Sequence, residues 1–377
     1  MPANTSTATP AAFPASAPAS QTAPAPRPIP RTMKAIAKVA PGPGLEMIET
    51  PVPEIGPHEV LVRTRACSIC GTDVHIYRWD PWAQGRIRPP LVVGHEICGE
   101  VVRVGAEVQR ISIGDSVSAD SHVPDLTCAV CRRGEPHLCS NLRILGVDRA
   151  GVFSEYVALP EACVWRNAPD LDPAQASIQD PMGNAVYATL VEPVAGQSVV
   201  VFGDGPTGLG AVGVAAAAGA STVVHVGKHP ARLEIGRRMG ATLSLNVAAP
   251  GVDVVGAVMD ATGGGADVVL EMTGSQLAVE QGFQVLRKGG RFSAFGIPAE
   301  PLRIDLANAV VFKGARVLGI NGRRLWETWY QMAGLLRSGG LDFSPIITHR
   351  IPFDEFQRGF ELMTSPDRQA AKVVLLP

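Results

Sequence analysis

A mixed α/β protein with two differently built parts is what this sequence predicts, and three observations carry the prediction. From Met33 onward, short alternating strands are broken by Gly and Pro. After Pro181, continuous apolar runs alternate with helical stretches. Between one such run and an Ala-rich helix lies Gly203-Asp204-Gly205-Pro206-Thr207-Gly208. Buried runs separated by helices imply a doubly wound parallel sheet with right-handed crossovers.

The elements follow in chain order. Residues 1–32 hold eight of the 32 prolines, no acidic residue and almost no large apolar side chain. Such a segment cannot bury enough surface to offset its ordering entropy, so a disordered tail is expected. A transit peptide is the alternative, but the only basic residues are Arg27 and Arg31, and the prolines prevent an amphipathic helix. The run from Met33 is strand-like. Val60–Ala66, Glu100–Val104, Ile111–Val117 and Phe153–Leu159 read as further strands, making 33–180 a β-rich domain. Residues 181–324 form the parallel-sheet domain, with strands at Val199–Phe202, Thr222–Val226, Asp267–Met272, Arg291–Phe295 and Arg316–Ile320. Helices around Trp326–Leu336 and Phe353–Met363 and a strand at Ala371–Leu376 close the chain.

Composition narrows the function. With 33 basic and 35 acidic residues the net charge is -2, which asks for neither nucleic acid nor an anionic membrane. The most apolar stretch, Leu209–Val226, owes its apolarity to Ala, Gly and Val, and is read as a buried helix and strand, not a span. Seven cysteines are an odd number for a disulfide framework, so a reducing cytoplasm with cysteines as ligands or core residues is expected.

The glycine pattern is a dinucleotide fingerprint because it follows a strand and opens a helix. Gly203 allows the turn, Gly205 lets the backbone approach a pyrophosphate at the helix N-terminus, and Gly208 lets helix and strand pack closely. In NAD-binding sites an acidic residue ending the second strand binds the ribose 2′-hydroxyl. Here that position is Gly227, followed by Lys228, His229 and Arg232. A small residue and nearby cations favour NADP(H) over NAD(H).

Two clusters carry metal-ligand chemistry. Cys70, His95 and Glu96 supply the sulfur, nitrogen and oxygen of an open zinc site. Cys128, Cys131 and Cys139, with Asp125 just before them, suggest a structural zinc knuckle in which Asp125 is the fourth ligand. Cys67-x-x-Cys70 resembles a redox pair, but no βαβ pattern surrounds it.

From Met33 to Pro377 the chain resembles the zinc-dependent medium-chain dehydrogenases, and within them the branch that oxidises L-threonine to 2-amino-3-oxobutanoate. The stretches ICGTDVHIYRWDPWAQ, VVGHE, DPMGNAV, GDGPTG, RRLWETWYQM and SPIITHR carry the likeness. It implies a GroES-like catalytic domain over 33–180, completed by 325–377, with a Rossmann domain at 181–324. Cys70, His95 and Glu96 match the family's catalytic zinc ligands. Asp180 matches an acidic residue beside the metal, which ligates it or acts from just outside. Thr72 and His75 match a proton relay running through the cofactor ribose. Thr207, Arg232, the Phe295-Gly296-Ile297 turn, Ile320 and Asn321 fall at cofactor-contacting positions. Asp125 stands where the family has a structural cysteine, and Gly227 where it has an NAD-selecting aspartate. The resemblance further implies Zn2+, NAD(P)(H), a small alcohol substrate and a homo-oligomer, specifically a tetramer. A polyol, sugar or other secondary-alcohol dehydrogenase is the alternative within the superfamily. A non-catalytic NADPH-binding protein is the alternative outside it.

Overall fold

The strands and helices that position the two clusters were placed with a computed structural model, which describes residues 28–377. The expected tail lies outside the described residues over 1–27. At its other end the first strand begins at Thr32, which pairs with Pro51, one residue earlier than expected.

The β-rich part is one seven-stranded sheet, antiparallel except where Ile347–Pro352 runs parallel to Lys372–Leu376. Its order runs Val164–Arg166, Ser116–Ala119, Glu96–Val104, Glu59–Ser68, Lys372–Leu376, Ile347–Pro352, with Tyr156–Pro160 also paired to Glu59–Ser68. The last two strands in that order come from the C-terminal segment. Val374 pairs with Ser68 and Leu375 with Cys67, so the end of the chain is built into the same sheet as the segment leading to Cys70. Thr32–Lys38, Glu46–Pro51 and Leu91–Val92 form a separate small sheet.

The second sheet is parallel throughout, in the order Leu243–Asn246, Thr222–Gly227, Ser198–Phe202, Ala266–Glu271, Leu286–Ala294, Arg316–Gly319. The run Ser-Val-Val-Val-Phe is buried at every position, as expected for a central strand covered on both faces. Building outward from it, the chain reverses direction between Ser198–Phe202 and Ala266–Glu271. The crevice at the carboxyl ends of those two strands is where open sheets of this kind hold ligands.

Two cores explain why residues 31–377 cluster as one compact unit. One, under the antiparallel sheet, buries Ile69, Ile76, Phe153 and Phe360 completely. The other joins Val199, Val201 and Leu270 of the parallel sheet to Trp329, Met332, Phe343 and Val374 of the C-terminal segment. That segment therefore packs on both sheets at once.

One expected strand needs correction, and two strands went unread in the sequence. Ile111–Val117 is not a strand: Gly114 takes φ +92, and the Asp115 carboxylate accepts the Ser112 N–H, so a turn precedes the real strand at Ser116. Leu243–Asn246 and Ile347–Pro352 are strands that periodicity did not reveal. The first is a four-residue edge strand, half-buried along its length, with no clear alternation to read. Among the described residues no helix is long and apolar enough to cross a membrane.

Candidate metal centres and dinucleotide site

Cys70 caps the helix Gly71–Arg78, and its backbone N–H donates to Asp73 Oδ2 at 2.9 Å. His95 and Glu96 stand at the start of the strand Glu96–Val104. Sheet pairing of Ser68 with Glu96 brings the two segments together. One ligand atom from each of Cys70, His95 and Glu96 lies within 4.8 Å of the others.

The surroundings of this triad favour positive charge. Glu96 is fully buried and is gripped by the Ser68 hydroxyl and the buried Lys372 ammonium. Asp73 is fully buried, its Oδ1 has no hydrogen-bond partner, and it lies 3.6 Å from His95 Nδ1. Burial opposes a charge on His95, but Asp73, Cys70 and Glu96 outweigh it and push the pKa up to about 10. An orphaned buried carboxylate, a mixed sulfur–nitrogen–oxygen donor set and a pocket that favours a cation fit a zinc ion. Asp73 is the outer carboxylate that would orient the histidine. The C-G-T-D spacing contains it, yet only the fold shows that it faces His95.

Asp180, at the start of the helix Gln179–Leu190, is outside this triad. Its Oδ1 accepts the Ser121 N–H at 2.7 Å, and it pairs with Arg323. Arg323 also binds Asp120, with Nε to Oδ2 at 2.9 Å and Nη2 to Oδ1 at 2.7 Å. The Trp329 indole N–H donates to the same Asp120 at 2.8 Å. All four side chains are buried. Sequence reading singled out Asp180 alone. The charged partner came from RRLWETWYQM, a stretch that local patterning gives no charge-pairing role. Thr72 and His75 sit on the helix after Cys70. His75 is exposed and hydrogen-bonds Asp80.

The second cluster also closes. Cys128 Sγ lies 3.5 Å from Cys131 Sγ and 3.9 Å from Cys139 Sγ, and Cys131 Sγ lies 3.6 Å from Asp125 Oδ1. A zinc tetrahedron with ~2.3 Å sulfur and ~2.0 Å oxygen bonds has edges of about 3.8 Å between sulfurs and about 3.5 Å between sulfur and oxygen. The loop is shaped for that geometry, and its thiols form no disulfide. The Asn141 amide and the N–H groups of Cys128 and Thr127 hold Asp125 well below the usual carboxylate range, so it is available as an anion.

The dinucleotide residues gather at the carboxyl edge of the parallel sheet. Gly203 follows Phe202 with φ +123, which L side chains rarely adopt. A Cβ at Gly208 would lie 2.2 Å from the Gly203 carbonyl oxygen, so only glycine lets the helix Pro206–Ala217 approach this closely. Gly205 opens onto free space, and Thr207 lies beside it in the first turn. Phe295, Gly296 and Ile297 leave the strand Leu286–Ala294, and Ile320 and Asn321 leave Arg316–Gly319, at the same edge. A turn free at its centre, next to a helix N-terminus, fits a pyrophosphate. At Gly227 the structure adds what the sequence reading lacked. A carboxylate is present there, supplied by Asp204, and it hydrogen-bonds the backbone N–H groups of Lys228 and His229.

Comparison with known proteins gives one picture. The alcohol dehydrogenase GroES-like domain family matches residues 56–170, and the zinc-binding dehydrogenase family matches residues 206–338. The chain is 46% identical over 346 residues to L-threonine 3-dehydrogenase of Bacillus subtilis, covering 92% of this chain and 99% of that one. It is 45% identical to the enzyme of the same name from Pyrococcus horikoshii, covering 91% and 98%. Among solved structures, 2R,3R-butanediol dehydrogenase of Bacillus subtilis superposes with a TM-score of 0.82 at 27% identity, covering 92% and 99%. A Sinorhizobium meliloti protein described as a zinc-binding dehydrogenase, bound to NADP, superposes with a TM-score of 0.83 at 29% identity, covering 92% and 99%.

Proposed function

The chain belongs to the zinc-dependent medium-chain dehydrogenases, and we propose that it oxidises L-threonine at the 3-hydroxyl to 2-amino-3-oxobutanoate, with NAD(P)+ as hydride acceptor. The observation that carries this reading is the Cys70–His95–Glu96 cluster in a chain that matches L-threonine 3-dehydrogenases over almost their whole length. Bound zinc supplies Lewis acidity that brings the substrate hydroxyl's pKa toward neutrality, and NAD(P)+ supplies the acceptor. The chain's own residues do the rest. Cys70, His95 and Glu96 hold the metal. Asp73 keeps the His95 ring oriented, and Lys372 with Ser68 fixes the Glu96 carboxylate. Thr72 would take the hydroxyl proton while passing its own toward the cofactor ribose, as the resemblance implies. His75, at the exposed end of the same helix and paired with Asp80, delivers it to solvent. Asp180 stands outside the Cys70–His95–Glu96 triad, held by Ser121 and Arg323.

The departures at Asp125 and Gly227 mark drift from the threonine branch, and a polyol, sugar or other secondary-alcohol dehydrogenase is the second reading. Initial rates separate the two. L-threonine is expected to exceed every diol and polyol tested by about tenfold or more in kcat/KM, since a site built for the amino acid leaves polar groups unpaired around other alcohols. A diol that outperforms threonine sinks the threonine reading and leaves the dehydrogenase reading standing.

The loop Asp125–Cys139 is assigned a structural zinc, on the tetrahedral spacing of its four donors. Metal analysis of the purified chain should give about two zincs, and Asp125→Ala about one, with the catalytic metal retained. One zinc in the wild type, unchanged by the substitution, rejects this assignment. The seven free thiols suit a reducing cytoplasm. A homo-oligomer is supported by the open edge strand Arg316–Gly319, beside which Leu306, Val311, Phe312 and Val317 are exposed, and a tetramer is what the resemblance implies.

A further inference from the structure

We propose that Asp204 and Gly227 act as one unit that builds the 2′-phosphate subsite of NADP(H), with Asp204 as the positioning residue for Lys228, His229 and Arg232. The inference rests on the dinucleotide reading above and names the residue that sets its selectivity.

Asp204 is the first variable residue of the glycine pattern, yet its side chain reaches the end of the neighbouring strand. Its Oδ2 accepts the N–H groups of Lys228 and His229, each at 2.8 Å. The His229 Nδ1 lies 2.9 Å from Oδ2 and 3.0 Å from Oδ1. Arg232 Nη1 lies 3.9 Å from Oδ1. Gly227 makes the room for this. A Cβ there would fall 2.7 Å from Asp204 Cβ and 2.8 Å from its Oδ2. Position 227 cannot carry a side chain while Asp204 keeps its place. The missing side chain at the end of the second strand and the acidic residue in the glycine loop are therefore one feature.

Two roles fit a carboxylate at this place. It could accept the ribose 2′-hydroxyl, as the usual acidic residue does, and repel a phosphate. Or it could anchor the cations that receive one. Its occupancy favours the second. Both oxygens are already engaged, and the residue is 7% exposed. Burial works to raise its pKa, but the His229 side chain and the His229 and Lys228 backbone bonds outweigh that and hold it below the usual value. Its charge is thus present, and it is met by the Lys228 and His229 N–H groups and by Arg232. The other charged side chains of the group are cationic. Lys228 is exposed, and its ammonium has no partner among the described residues. Arg232 is buried, donates to the Ala370 carbonyl, and keeps an unpartnered Nε. One carboxylate stands among two permanent cations, Lys228 and Arg232. The balance is positive, and rigid backbone bonds hold it in register.

Nucleotide titration by calorimetry on the zinc-loaded protein tests this without turnover, with adenosine 2′,5′-bisphosphate and 5′-AMP as probes. The wild type is expected to bind the bisphosphate at least about tenfold more tightly. Asp204→Ala should reduce that ratio about tenfold while 5′-AMP affinity stays within about threefold, because only the phosphate subsite is loosened. Gly227→Ala, which presses a Cβ onto Asp204, should act in the same direction. So should His229→Gln, which leaves both backbone bonds to Asp204. A wild type that prefers 5′-AMP, or an Asp204→Ala ratio that is unchanged or rises, overturns the proposal. If Asp204→Ala does not fold, unchanged ratios in Gly227→Ala and His229→Gln overturn it instead. A wild type that binds neither nucleotide overturns the dinucleotide reading itself, and the proposal with it.

Discussion

Cys70→Ala lowers kcat/KM for the alcohol by about a thousandfold or more and removes one zinc per chain: that is the largest effect expected. A zinc Lewis acid contributes several kcal/mol of transition-state stabilisation, and each ~1.4 kcal/mol is a factor of ten. Removing the sulfur leaves His95 and Glu96 as the only members of the triad, too few to keep a catalytic zinc from exchanging into buffer. The substitution should not unfold the loop. The Cys70 backbone N–H is already held by Asp73, and the side chain is half-buried, not part of a core. Nucleotide affinity should survive, because the Gly203–Gly208 turn is carried by the parallel sheet. Metal content, nucleotide titration and initial rates on one preparation check all three parts. Wild-type turnover in Cys70→Ala would overturn the zinc assignment.

Arg323→Ala should cost about 3–5 kcal/mol of stability, the second largest effect. Its guanidinium is 2% exposed and sits between two buried carboxylates, Asp120 and Asp180, which are left without a counterion when it goes. Arg323→Lys should recover only part, because a point charge cannot fork across Asp120 Oδ1 and Oδ2. Denaturant unfolding at fixed zinc concentration measures this, and a loss under about 1 kcal/mol would show that the two carboxylates do not depend on Arg323 for their charge balance. The pH dependence has a definite sign. Burial, with the Asp120 charge adding to it and Arg323 opposing, pushes Asp180 up to about 6 from 3.8. The folded state therefore binds more protons than the unfolded one in that window. Its contribution is complete below 3.8 and is lost as pH rises through about 6. Without Arg323 the carboxyl rises further. The variant should therefore lose more stability relative to wild type at pH 8 than at pH 5.

Much of this protein was legible from residues alone because much of its chemistry is local. A glycine turn between a strand and a helix is a backbone requirement spanning six residues, so GDGPTG declared itself. Cys70 and His95–Glu96 stood out because those residue types are rarely found together without a ligand, and Asp125, Cys128, Cys131 and Cys139 lie on one loop. The alternation of buried runs and helices fixed the sheet type for the same reason, since a fully buried strand must be apolar on both faces. What only the tertiary structure decided are contacts between segments far apart in sequence. Lys372 meets Glu96 across 276 residues, and Trp329 meets Asp120 across 209. No periodicity records such pairings, because each partner satisfies its own local pattern. Asp204 makes the point at short range. Read along the chain, it fills a variable slot in a glycine motif, and Gly227 lacks a carboxylate. In space the carboxylate stands beside Gly227, because neighbouring parallel strands bring their carboxyl ends together and a missing Cβ leaves room for it.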